Sequence, residues 1–372
     1  MRKKIEEIFG AFGINGDFAG FKMFKSGHIN TTCMVSLDDN GVSRNYVMQK
    51  INKNVFKHPE DVMSNISNVT GFIRRKLARQ GKSSDRKVLK FLPAQDGKYY
   101  TIDDNGDYWR IYEFVDKSIT FDATEDKGVL EETGKAFGEF QQLLSDYPSA
   151  KLEDIIPDFH NTPKRYDTFK DTVNADPVGR AGSVQNEIYE YLCLRDLASE
   201  MQRMLDGGQL PLRVTHNDTK CNNVLFDEDT KEHLCVIDLD TVMPGLVGYD
   251  FGDAIRFAAN TCDEDEKDTS KVKIDLGKFE AFTRGFLSQV GDSLTQTELR
   301  TLPLGAITMT TECGLRFLTD YIDGDNYFGI SYPEHNLDRA RCQLTLAQDM
   351  VRNYDLMHTI VAKCYKERHK VK

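Results

Sequence analysis

The stretch from Arg213 to Phe226, RVTHNDTKCNNVLF, places His216, Asp218, Asn222 and Asn223 within eight residues, between two apolar segments. A second segment, HLCVIDLDTV, ends an apolar run on Asp238 and carries Asp240 two residues further on. A carboxylate of the Asp218 kind can orient a hydroxyl and accept its proton. Asn223 and Asp238 offer an amide oxygen and a carboxylate, the hard oxygen donors that Mg²⁺ prefers to imidazole or thiolate. A base next to a divalent cation suits transfer of a phosphoryl group, a reaction that needs positioning and charge neutralisation more than covalent chemistry. Each residue also has a plainer reading, because Asn and Asp are common turn formers and a lone histidine is usually structural. The combination and its spacing favour chemistry. Asp240 reads equally well as a turn residue or as part of the site.

The elements that must hold these residues fall into two groups. Residues 3–11 read as a short amphipathic helix. From Phe18 to Ile51, apolar and polar residues alternate, with breaks at Ser26-Gly27 and Asp39-Asn40-Gly41, which predicts three antiparallel strands. A helix is expected over 59–80 and two further strands near 98–102 and 107–115. Beyond Asp116 the periodicity becomes helical, over 126–145, 183–206, 272–290, 296–320 and 336–366. Short strands bracket the Asp218 segment. The layout is α+β: a small sheet-rich lobe over 1–115, then a larger, mostly helical lobe over 116–372 that carries the chemistry near its start.

The pattern His216-x-Asp218-x-x-x-x-Asn223 has the spacing of kinase catalytic loops. With VIDLDTVMPGLVGYDFGDAIR it resembles the aminoglycoside phosphotransferase and choline kinase superfamily over most of the chain. IPDFHNTPKRY (156–166) and ECGLRFLTDYIDGDNYF (312–328) resemble, within that superfamily, kinases acting on position 1 of N-acetylhexosamines. The resemblance implies a protein-kinase-like two-lobed fold, ATP as donor and Mg²⁺ as cofactor. It implies Asp218 as base, Asn223 and Asp238 as metal ligands, and His216 as a support for the loop backbone. Asp250-Phe251-Gly252 spells the D-F-G metal motif of protein kinases, but it lies 32 residues after Asp218, whereas Asp238 lies 20 after it and ends a strand. Asp250 is therefore expected to cap a helix over 250–259 or to brace the loop.

Departures from the superfamily pattern bear on the nucleotide. The strand NYVMQKI carries Gln49 where a lysine is usual, with Lys50 on the opposite face, and residues 62–80 contain no acidic partner for it. Gly27, His28 and Asn30 in the first turn, with Gln49, are the candidate phosphate contacts. The backbone at Glu113 and Val115 is the candidate adenine partner. On the acceptor side, Glu312, Arg316 and Asp320 recur at i, i+4 and i+8 on one helix face, as a salt-bridge ladder or as a polar wall. The resemblance puts Arg316 and Tyr327 at a sugar. Two rival readings remain open: a kinase for another alcohol (choline, ethanolamine, homoserine or an aminoglycoside), or a catalytically inactive binding protein.

Composition narrows the partners. A net charge of −11 disfavours nucleic acid or an anionic membrane as the main partner. None of the eight cysteines forms a C-x-x-C pair, so free thiols in a reducing compartment are expected. The start, MRKKIEEIFG, is interrupted by acids before any apolar region develops, and no apolar run is long enough to span a bilayer. A cytoplasmic enzyme is the expectation.

Overall fold

Alternation in the N-terminal segment buries one sheet face. In the computed structural model, which describes residues 2–24 and 29–370, the strands are β1 (Asp17–Met23), β2 (Thr31–Asp39) and β3 (Val42–Lys50). Cys33, Val35 and Leu37 of β2 point inward against Ile8 and Phe9 of α1 (Arg2–Gly10). The β2–β3 turn is tight because Asn40 and Gly41 take positive φ values of 54° and 86°, the conformation of a two-residue hairpin. The expected turn at Ser26-Gly27, together with the Gly27 and His28 candidates, lies outside the described residues. β4 (Thr101–Ile102) and β5 (Tyr108–Glu113) complete an antiparallel sheet in the order β1-β2-β3-β5-β4.

α2 (Pro59–Arg79) crosses behind this sheet. It starts on a proline followed by Glu60 and Asp61, and ends with Lys76 and Arg79, which matches the helix dipole at both ends. The chain leaves it through Gly81 at φ 68°, with Lys82 N–H returning to Leu77 O at 2.9 Å. Asn65 joins the helix to the rest of the molecule: its Nδ2 donates to Val242 O at 2.9 Å and to Glu153 O at 2.8 Å.

The larger lobe is helical: α3 (Lys127–Leu143), α4 (Thr162–Ala175), α5 (Gln185–Ala198), α6 (Glu200–Asp206), α7 (Val247–Ala258), α8 (Leu276–Val290), α9 (Gln296–Asp323), α10 (His335–Arg352) and α11 (Tyr354–Glu367). Two expected long helices are each broken, the first at Ser199 and the second at Asn353, where the cap residues divert the backbone hydrogen bonds. α4 was not expected, because its sequence is polar around most of its circumference. Short pairs hold the functional segments: β7 (Arg213–Thr215) with β10 (Met243–Gly245), and β8 (Val224–Asp227) between β6 (Ser118–Ile119) and β9 (His233–Val236). Among the described residues no helix is long and apolar enough to cross a membrane.

The Asp250-Phe251-Gly252 triplet finds its explanation here. It lies inside α7, not in a loop. Phe251 is fully buried among the rings of Phe279, Phe282 and Phe286 on α8. Gly252 sits where α7 crosses α9, and an added Cβ would run into the backbone carbonyl of Gly305. A side chain at Gly252 must therefore separate two backbones. Gly252→Ala is expected to lower stability by about 3 kcal/mol or more, at the upper end for overpacking. Gly182→Ala, where the added carbon meets nothing within 4 Å, should be nearly neutral. Urea midpoints of the two variants check the difference.

Candidate active site

The loop between β7 and β8 is irregular, so its backbone donors need partners outside regular structure. Asp250, on the first turn of α7, provides them. Its Oδ2 accepts from His216 N at 2.9 Å and from Gln141 Nε2 at 2.7 Å, and its Oδ1 accepts from Asn217 N at 2.8 Å. Thr219 Oγ1 donates back to Asp250 O at 2.6 Å. Burial raises the Asp250 carboxyl above its ordinary range, while His216 and the two backbone donors work against that rise. Asp250 thus braces the loop. It makes no helix-capping bond, since the N-cap position of α7 is Leu246.

His216 is fully buried against the rings of Phe137 and Phe140 on α3. Its Nε2 bonds Ile237 O at 2.9 Å, and its Nδ1 accepts from Asp218 N at 3.2 Å. Those two contacts give each ring nitrogen a backbone partner. The ring ties the loop to the strand exit that carries Asp238. Asn217, between them, takes φ 64° and donates its Nδ2 to Thr241 O at 2.8 Å.

On this floor Asp218 Oδ2 accepts from Asn223 Nδ2 at 3.0 Å, and the same amide nitrogen bonds Asp218 O at 2.8 Å. The amide oxygen of Asn223 therefore faces away from Asp218. Asp238 stands just beyond β9 with a left-handed backbone, φ 58° and ψ 56°. Its side chain is reached by solvent and has no hydrogen-bonding or ionic partner among the described residues. Crowding by surrounding protein, then the charges of Asp240 and Asp218, push its carboxyl up to about 6, against the opposing pull of Arg110 and His216. A carboxylate held among like charges and lacking donors is suited to a cation. Among the described residues no three His, Cys, Asp or Glu side chains form a metal cluster. Mg²⁺ does not need one, because it takes one or two protein carboxylates with substrate oxygens and water.

Other candidates are placed differently from a simple contact list. Asn30 is engaged at both ends: Nδ2 donates to Asp240 Oδ2 at 2.5 Å and Oδ1 accepts from Asn52 N at 3.0 Å. Gln49 likewise accepts from Arg110 Nε at 2.9 Å and donates to Thr32 Oγ1 at 3.2 Å. Glu113 N bonds Lys90 O at 3.0 Å, and Val115 O accepts from Ser118 Oγ at 2.6 Å. The i, i+4, i+8 series on α9 forms no ladder. Glu312 is buried and accepts from Thr162 Oγ1 at 2.6 Å, with its other oxygen against His160 Nδ1 at 2.9 Å. Asp320 accepts from the N–H groups of Tyr327 and Phe328 at 2.8 and 2.9 Å. That leaves Arg316 with no carboxylate partner among the described residues, over the rings of Phe159, Tyr327 and Phe328 at 5.8, 5.7 and 5.4 Å.

Several residues of the site carry no signal in the motif. Lys220 Nζ lies 3.0 Å from Asp218 Oδ1. Burial opposes its charge, but Asp218 and Asp253 outweigh that and raise its pKa. Asp253 accepts from Thr219 N at 2.9 Å and pairs with Arg256 at 3.0 Å. Lys220 could have been noticed from its place two residues after Asp218. Arg110, paired with Asp240 across the cleft, could not.

The sequence pattern of the APH phosphotransferase enzyme family matches residues 21–270, more than half of the chain. The chain belongs to that family. Its fold is similar to the microcompartment-associated aminopropanol kinase (TM-score 0.63, 15% identity, 96% of this chain and 98% of that one). It is also similar to the choline kinase of Cryptosporidium parvum (TM-score 0.54, 15% identity, 98% and 99% covered). A third similar structure is the spectinomycin phosphotransferase APH(9)-Ia, solved with ADP and spectinomycin (TM-score 0.54, 12% identity, 98% of each chain). Identities this low speak for the shared fold: a small antiparallel sheet lobe joined to a larger helical one.

The two carboxylates of this phosphotransferase should respond to substitution in opposite directions. Asp250→Ala leaves buried N–H donors without partners and is expected to cost about 3 kcal/mol or more. Asp238→Asn removes an uncompensated charge and should raise the melting temperature of the ligand-free protein at pH 8. That gain should shrink as pH falls through about 6, where the wild-type carboxyl is itself protonated, and vanish below the ordinary carboxylate range near ~4. Melting curves from pH 4 to 8 check both.

Proposed function

We propose that this phosphotransferase is an ATP- and Mg²⁺-dependent kinase that phosphorylates the anomeric hydroxyl of an N-acetylhexosamine. The base is Asp218. Its Oδ2 is held by Asn223 and its Oδ1 by Lys220, so one carboxylate is oriented toward an incoming hydroxyl, whose proton it takes as the hydroxyl oxygen bonds the γ-phosphorus of ATP and the bond from that phosphorus to the departing ADP breaks. Lys220 then stands next to the reacting hydroxyl, where it neutralises charge on the transferred group. The Asn223 amide oxygen and the Asp238 carboxylate would hold Mg²⁺, which supplies charge neutralisation at the phosphates when bound. Adenine is assigned to the backbone at Glu113 and Val115, at the end of β5.

The observation that carries the acceptor assignment is Arg316. It is a half-buried guanidinium with no carboxylate partner among the described residues, boxed by three rings. Arg165 of α4 is close enough for Arg316 to help lower its pKa after burial itself, and Arg165 Nε is buried without a hydrogen-bond partner, as is Nε2 of His160. Glu312, the nearest buried acid, already serves His160 and Thr162. This wall reaches back toward the loop through His160, whose ring packs 5.2 Å from that of Tyr249 on α7. A surface rich in donors and cations repels an ammonium group, which disfavours choline, ethanolamine and other amino alcohols. It suits a neutral ligand with several hydroxyls and an acetamido carbonyl, and Arg is well shaped to serve such acceptors in parallel. Tyr327, mostly exposed beside Arg316, is assigned a sugar ring face. An inactive binding protein would have little use for an oriented Asp218 beside Lys220.

Asp218→Asn is expected to reduce kcat on the order of 10³-fold, within the range for loss of a general base, with unchanged circular dichroism. Arg316→Ala should raise KM for the sugar strongly while leaving Mg-ATP affinity near wild type. In an ADP-release panel, N-acetylglucosamine or N-acetylgalactosamine should outrank choline, homoserine and aminoglycosides. An amino alcohol at the head of that ranking would defeat the sugar assignment and leave the kinase assignment standing.

A further inference from the structure

Kinase folds commonly keep a cation in the small lobe in fixed relation to the metal carboxylate, as a strand-three lysine paired with a glutamate on the next helix. Here Gln49 holds that position and is neutral. Lys50 turns to the other face, 3.3 Å from Asp107. Glu60 and Asp61, the acids of α2, stand on its first turn, and among the described residues neither pairs with a cation of strand three. Glu60 has His58 as its only ionic neighbour among the described residues, at 4.0 Å.

The cation is found one strand over. The register pairs Gln49 of β3 with Arg110 of β5, so their side chains lie side by side on one face. Arg110 Nε donates to Gln49 Oε1, and Nη1 pairs with Asp240 Oδ1. The two charged side chains are 2% and 4% exposed. Asp240 uses its second oxygen for Asn30, which in turn accepts from Asn52 N. Asp240 is two residues beyond Asp238, in the same short turn. One carboxylate thus links the sheet, the end of the first hairpin and the segment that carries Asp238. Stability alone is a poor reason for such a pair, because apolar residues of similar volume usually serve a buried site at least as well.

We infer that Arg110 is the positioning cation of the small lobe: through Asp240 it fixes Asp238 and Asn30 relative to each other, in place of a strand-three lysine and its helix partner. The partner has moved from a helix onto the metal loop itself. Arg110 is too deeply enclosed to be assigned direct contact with substrate, so it acts through Asp240. The inference rests on Asp238 serving the metal and is independent of which alcohol is phosphorylated.

The test is calorimetric titration of ADP with and without Mg²⁺, alongside melting curves, on the wild type, Arg110→Met, the double variant Arg110→Met/Asp240→Asn, and Asp238→Ala. In Arg110→Met the strengthening of ADP binding by Mg²⁺ should fall by at least about tenfold, the scale of a close charge pair, while metal-free ADP binding changes little. The double variant no longer buries an unpaired carboxylate and should recover melting temperature, yet keep the lost Mg²⁺ effect. It also carries the comparison if Arg110→Met alone does not fold. A double variant with wild-type Mg²⁺ dependence would overturn the inference, leaving Arg110 a purely structural residue. Equal loss of metal-free and Mg²⁺-dependent binding in Arg110→Met would overturn it too. If Asp238→Ala keeps the full Mg²⁺ effect, the metal assignment itself fails and takes this inference with it.

Discussion

An irregular loop can present a base and an amide to solvent only if its own backbone is satisfied beneath the surface. In this chain that condition is met by one buried carboxylate. Asp250 accepts two consecutive loop N–H groups and the Gln141 amide, while Thr219 closes the circle by donating to the Asp250 backbone carbonyl. The candidate residues are arranged around this point. His216 can pack edge-on against Phe137 and Phe140 because its own N–H is already held. Asp218 can face the cleft because the residues on either side of it are fixed from below. The price of burying the Asp250 charge is met by the donors it gathers, which is why α7 must approach the loop closely and why it carries Gly252 where it meets α9.

The grouping of the candidate residues was legible because it depends on local spacing. Asp218, Asn223 and Asp238 lie on a loop and a strand end whose geometry follows from a few intervening residues, and the strand alternation in 17–50 is equally local. Asp250 was readable as a brace once its place after Asp238 excluded it as metal ligand. What stayed hidden depends on long-range encounters. Arg110 looks like any strand arginine until β5 is laid beside β3 and the loop at Asp240 folds over it. The series Glu312, Arg316, Asp320 reads as one polar face, but helix periodicity cannot tell that His160 and Thr162 will claim the first member and the turn at 327–328 the last. The breaks at Ser199 and Asn353 were missed because no proline or glycine marks either position. The polar sequence of α4 hides Tyr166 and Phe169, which are fully buried against a second, smaller core.

Charge is distributed unevenly across the cleft. Near the loop, Asp218, Asp238 and Asp240 face Lys220 and Arg110, an arrangement that is left short of positive charge and so receptive to a divalent ion. On the far side, Arg316 and Arg165 stand with few acids left unengaged. An overall acidic protein therefore contains a locally cationic wall, which net charge alone would not have suggested. Selectivity in such a site comes from which acids have been withdrawn from the surface into hydrogen bonds as much as from which cations are present.

The amide of Asn65 has a consequence for how the molecule comes apart. It fastens α2 to the carbonyls of Val242 and Glu153, and the apolar residues of α2 belong to the same continuous core as those of α3, α7 and α8. In a bilobal protein whose halves met only at a polar seam, heat would melt the smaller half first. Here the sheet and α1 close a core of their own, but α2 is built into the core of the larger half, so the seam runs through shared hydrophobic contacts. Unfolding should proceed as one cooperative transition, with calorimetric and van't Hoff enthalpies in agreement, and damage in the sheet should be felt in the helices.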